Sequence, residues 1–98
     1  MLPPREELRL ASKAALIHLT RCLAVALAPA ITVNGVAPGL VEGTRMAARI
    51  PRDVVDRVRR EAVLQRPADG ADVARQVVAF CRADTVTGQT LVIDAGLF

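Results

Sequence analysis

Lys13 is the only lysine of the chain and His18 its only histidine, and both sit in the stretch LRLASKAALIHLT, residues 8–20. Neither has an evident catalytic partner. No cysteine or carboxylate stands at ligand spacing from His18, which predicts a packed helix residue and no metal site. Ser12 precedes the lysine directly, and its hydroxyl is expected to bond to nearby backbone. Arg9 lies one helical turn before Lys13. A guanidinium stays protonated at any working pH, so Arg9 can bind a carbonyl or phosphate but cannot act as a general acid; a solvated arginine is the expectation. Gly35, Gly39 and Gly43 are evenly spaced. They run from a strand end into a loop with no helix directly after it, which describes turn glycines and not a phosphate cradle.

Composition narrows the class. The chain has 98 residues, 52% apolar and 23% charged, which suits one small globular domain. Phe80 and Phe98 are the only aromatics, so the core must be built from Ala, Val, Leu and Ile. The net charge is +3. Asp53, Asp56 and Glu61 interleave with Arg52, Arg57, Arg59 and Arg60, as on a solvated helix face, and no aromatic is available to stack bases. Nucleic acid is therefore not an expected partner. Cys22 and Cys81 form no CxxC pair and are expected buried and reduced, which suits a cytoplasmic protein. The start MLPPREEL carries no apolar h-region. The apolar run from Leu16 to Val33 is broken by His18, Arg21 and Pro29, so no membrane span is expected.

The elements that must position these residues follow from periodicity and punctuation. Pro3 and Pro4 can open a helix, and Glu6 and Glu7 suit its positive end. Nothing breaks that helix from residue 5 to 28. From Ala14 onward it is apolar almost all round, so it should be covered on more than one side. Residues 30–36 read as a short buried strand, Ala37-Pro38-Gly39 as a turn and 40–50 as a loop. Pro51 opens a second helix with Val54, Val55, Val58 and Ala62 on one face. Asp69 is a candidate N-cap for a third helix over 70–82, with Val73, Val77 and Phe80 on its apolar face. Thr87-Gly88 is a turn and Thr90–Ile93 a second strand. The order helix, strand, helix, helix, strand implies a parallel pair with a right-handed crossover. Two parallel strands make a poor sheet alone, so the pattern predicts part of a larger α/β sheet.

Three motifs then line up. ASKAALIHLTRCLAVALAPAITVNGVAPG resembles the catalytic helix and following strand of the short-chain dehydrogenase/reductase family. PGLVEGTRM resembles that family's loop beneath the nicotinamide. ADVARQVVAFCRAD with TGQTLVIDAG is similar to its last helix and last strand, which usually ends in Asp-Gly-Gly. The resemblance covers nearly the whole chain and implies an α/β fold, the C-terminal fragment of a Rossmann-like parallel sheet, as a single partial domain over 1–98. It implies hydride transfer between NAD or NADP and an alcohol or carbonyl. It also implies assembly through helix 5–28, with a second copy or a full-length relative.

Residue by residue, Lys13 matches the family's catalytic lysine, which holds the cofactor ribose. Asn34, Pro38, Gly39, Gly43 and Thr44 resemble the residues shaping the nicotinamide end of the pocket. EGT is one residue longer than the commonest family spacing, which leaves both Gly43 and Thr44 as candidates to face the cofactor. The family's tyrosine belongs four residues before the lysine, where Arg9 stands, and the chain contains no tyrosine. Its catalytic serine and Gly-rich cofactor turn have no counterpart here. The expectation is a truncated member, inactive alone and with no cofactor necessarily bound by this chain by itself. The alternative is a non-catalytic module for self-association or partner binding through the apolar helix.

Overall fold

The order of elements in the computed structural model, which describes residues 4–97, is α1 (Pro4–Leu27), β1 (Gly35–Pro38), α2 (Arg45–Ala48), α3 (Arg52–Glu61), α4 (Gly70–Arg82) and β2 (Thr90–Ile93). The fold class is α/β, with one two-stranded sheet. Gly35 N–H donates to the Gln89 carbonyl at 2.8 Å, and Gly39 N–H to that of Ile93 at 3.0 Å. Both partners advance by four residues, so the strands are parallel. Gly35 and Gly39 share one edge of β1. By alternation Pro38 turns away from β2, where its missing N–H breaks no bond of this pair.

The described residues divide into two compact units, one of residues 4–35 with 83–90 and one of residues 36–82 with 91–97. In the first, α1 presents Thr20 and Ala24, both buried and one turn apart. Small residues there let two glycines come close. A Cβ at Gly35 would lie 3.7 Å from the Thr20 hydroxyl, and one at Gly88 would lie 3.4 Å from the Ala24 Cβ. The Thr20 hydroxyl donates back to the Leu16 carbonyl at 2.8 Å, which satisfies it without a partner outside the helix.

In the second unit Val54, Val55 and Val58 are half-buried along α3, and Ala62 just beyond it is 1% exposed. This is the valine face expected from the spacing. α4 begins where Asp69 was expected to cap it: the Asp69 carboxylate accepts from Ala71 N–H at 2.9 Å, and the Asp69 carbonyl accepts from Val73 N–H. Val73 and Phe80 are half-buried, whereas Val77 is exposed and Gln76 half-buried in its place.

Several expectations are corrected. The first strand covers 35–38, not 30–36, because Val33 and Asn34 are committed to the turn before β2. Val33 N–H bonds to the Thr87 hydroxyl, and the Val33 carbonyl accepts from Gly88 N–H. The loop over 40–50 contains α2, one helical turn. Cys22 and Cys81 are exposed, not buried, and His18 is exposed rather than packed. All three stand on helix faces that none of the described residues covers. The same holds for Leu16 at 62% and Val25 at 81% exposure.

Candidate functional site

Lys13 lies on α1 with an exposed side chain. Ser12 beside it donates to the Leu8 carbonyl at 2.8 Å, as expected. The side chain of Arg9, expected to be solvated, lies outside the described residues. Asn34 is engaged at both ends of its amide: Nδ2 donates to the Val86 carbonyl at 3.0 Å, and Oδ1 accepts from Gln89 N–H at 3.1 Å. It therefore pins the 86–89 turn beside the start of β1.

In the second unit Pro38 and Gly39 are exposed at the end of β1. Gly39 has a packing reason as well. A Cβ there would meet the Asp94 Cβ at 2.7 Å and its Cα at 3.3 Å, so only glycine lets the two strand ends approach this closely. Gly43 has φ +85°, and a Cβ there would meet nothing within 4 Å. Its backbone faces open space that a ligand can approach. Thr44 caps α2: its hydroxyl donates to the Val41 carbonyl at 2.9 Å and accepts from Ala47 N–H at 3.1 Å. While it does so, Thr44 offers a ligand an acceptor but no donor.

A cleft of about 840 Å³ opens in the same unit. Its wall runs along Leu91 to Gly96, and Arg66, Asp69, Asp72 and Arg75 face it from the segment before α4 and from α4 itself. Of the residues predicted from the sequence it includes only Gly43. Arg75 and Asp72 pair at 3.2 Å on an exposed surface, where such a pair adds little stability. The cleft was not legible in the sequence because its wall joins residues near 42–43, 64–76 and 91–96, segments about 15 to 20 positions apart. Among the described residues no group of three His, Cys, Asp or Glu side chains is placed to hold a metal ion.

With this geometry in view, comparison with known proteins assigns the class. The family model for enoyl-(acyl carrier protein) reductase matches residues 3–98. The short-chain dehydrogenase/reductase homolog YusR of Bacillus subtilis is 39% identical over 85 residues, which cover 87% of this chain and 64% of that protein. Among solved structures, a short-chain glucose/ribitol dehydrogenase from Brucella melitensis superposes with a TM-score of 0.83 at 32% identity, covering 90% of this chain and 36% of that one. FolM alternative dihydrofolate reductase 1 from Brucella suis, solved in complex with NADP, gives a TM-score of 0.77 at 36% identity, covering 89% of this chain and 34% of that one. The chain belongs to the short-chain dehydrogenase/reductase family and matches the C-terminal part of its Rossmann-like fold. It spans less than two thirds of the length of the curated relatives it matches.

Proposed function

We propose that the chain carries the nicotinamide side of an NAD(P)-dependent oxidoreductase and does not catalyse by itself. The family match over residues 3–98 carries this proposal, and the NADP complex of a relative supports the cofactor class. In the first unit Lys13 offers an exposed ammonium; in the second Gly43 offers an open backbone and Thr44 a hydroxyl acceptor. By the family resemblance we assign Lys13 to the ribose hydroxyls and Asn34, Pro38, Gly39, Gly43 and Thr44 to the nicotinamide end. When bound, the dinucleotide supplies or accepts the hydride.

Proton transfer is what the chain lacks. An ammonium one turn away lowers a phenol's pKa and makes it a usable acid. At that position Arg9 holds its proton at every working pH. Lys13 is thus the one member of the catalytic pair on this chain, which we take to be a cytoplasmic member of the family. We assign it no nucleic-acid partner and no membrane span. By length and composition α1 has a window, Leu10–Leu27, that could cross a bilayer, but Lys13 and Arg21 inside it are costly there.

Titration with NADPH and NADH, followed by the fluorescence of the reduced cofactor, tests the proposal; no tryptophan interferes. The expected result is a folded chain with no turnover and no saturable binding below about 1 mM. Turnover would overturn the proposal that the chain does not catalyse by itself; saturable binding that Lys13→Ala weakens would show that it holds the cofactor alone.

The exposed face of α1 favours a second function, a non-catalytic assembly module. Leu16, Leu19 and Val25 are at least half exposed, and burying such side chains stabilises association by about 25 cal/mol per Å² of apolar surface. Sedimentation equilibrium is then expected to show a dimer that survives dilution. A folded monomer at micromolar concentration would remove this alternative.

A further inference from the structure

Residues 42–64 leave the sheet at the end of β1 and return near the end of β2, carrying α2 and α3 between two pinned feet. At the front foot Glu42 N–H donates to the Ala68 carbonyl at 3.2 Å, and Ala68 N–H to that of Leu40 at 2.8 Å. Ala68 is buried, so this foot rests on packed backbone. At the rear foot Val63 N–H donates to the Gly96 carbonyl at 3.0 Å, and Leu64 N–H to that of Ala95 at 2.9 Å. Val63 and Leu64 are themselves 66% and 60% exposed. Burial of these two side chains contributes little, although Ala62 beside them is buried, and the backbone bonds hold residues 63 and 64 to the turn.

The two rear acceptors sit on a turn that is not self-supporting. Ala95 has φ +58° and Gly96 φ +80°. An alanine in the left-handed region is unfavourable, and the glycine that the Asp-Gly-Gly pattern places at this position would remove that strain. The Asp94 carboxylate offsets it: one oxygen, Oδ1, accepts from Gly96 N–H at 3.0 Å and from Leu97 N–H at 3.2 Å.

We propose that Asp94 is a positioning residue: by holding the Ala95-Gly96 turn in its left-handed form, it presents the carbonyls that anchor the rear foot of segment 42–64, and so sets where α3 lies. The device is confined to the second unit. It rests on no assignment of activity, so it stands or falls apart from the oxidoreductase proposal.

Amide-resolved hydrogen exchange on the 98-residue chain tests it. Val63, Leu64, Gly96 and Leu97 are expected to exchange as one cooperative group. Asp94→Ala is expected to raise exchange at Val63 and Leu64 by about tenfold or more while Gly39 N–H, bonded within β1–β2, keeps its protection. Asp94→Asn, which retains the carbonyl oxygen at Oδ1, is expected to restore most of the protection. Protection of Val63 and Leu64 that survives Asp94→Ala would overturn the proposal. So would an equal rise at Gly39, or failure of Asp94→Asn to restore. If Asp94→Ala does not fold, the unsubstituted chain decides: opening of Val63 and Leu64 at a free energy different from that of Gly96 and Leu97 overturns the coupling.

Discussion

Gly96→Ala is expected to destabilise the chain by about 2–4 kcal/mol, the largest effect of any single methyl group added here. Two costs combine. Gly96 has φ +80°, and a residue with a Cβ pays about 1–2 kcal/mol to stay there. The new Cβ would also lie 2.9 Å from the Val63 Cβ and 3.6 Å from the Val63 nitrogen. Relief requires Val63 to move, and Val63 N–H is bonded to the Gly96 carbonyl. The clash and the hydrogen bond therefore act on the same two residues. Urea denaturation checks this: with a slope of about 1–2 kcal/mol per M, the midpoint should fall by about 2 M. In a small domain with so few buried side chains that is a large share of the total stability. A fall of only about 1 M would mean that Val63 does not pack on the turn, and an unchanged midpoint that position 96 does not hold its left-handed φ either.

Gly39→Ala is the second large effect, at about 1–3 kcal/mol. No backbone strain enters, since Gly39 has no positive φ. The cost is overpacking alone, because the added Cβ would stand 2.7 Å from the Asp94 Cβ. The Asp94 side chain cannot swing away freely, since its carboxylate holds Gly96 and Leu97 N–H. The strand ends must separate instead, which strains the bond from Gly39 N–H to the Ile93 carbonyl. Thermal denaturation of the variant, with amide exchange at Gly39, reads both consequences. Retained stability with full protection at Gly39 would show that the strand ends tolerate a wider spacing. Pro38-Gly39 therefore has a structural role independent of any cofactor, and a loss of function on its mutation has to be read against the loss of fold.

The sequence by itself determined α4 and β2 almost to the residue, and the start and valine face of α3. Their signals are local: Pro51 before a valine-faced helix, Asp69 as a cap, and a β-branched run after Thr87-Gly88. It also determined the family, because three motifs in fixed order depend on no contact between them. Candidate site residues such as Lys13, Gly43 and Thr44 were legible on the same grounds, as positions within motifs.

What only the tertiary structure decided depends on pairing between distant segments. The start of β1 moved to Gly35 because Val33 and Asn34 bond to residues 86–89, more than fifty positions away. The exposure of His18, Cys22 and Cys81 could not be read from apolar surroundings, since periodicity shows which face is apolar but not whether anything covers it. The rear foot at Val63 and Leu64 was invisible for the same reason: its bonds join backbone to backbone across thirty residues, and side-chain patterns carry no record of them. Only the glycine at 96 hinted at it, and a glycine reports that a Cβ is unwelcome without saying what it would strike.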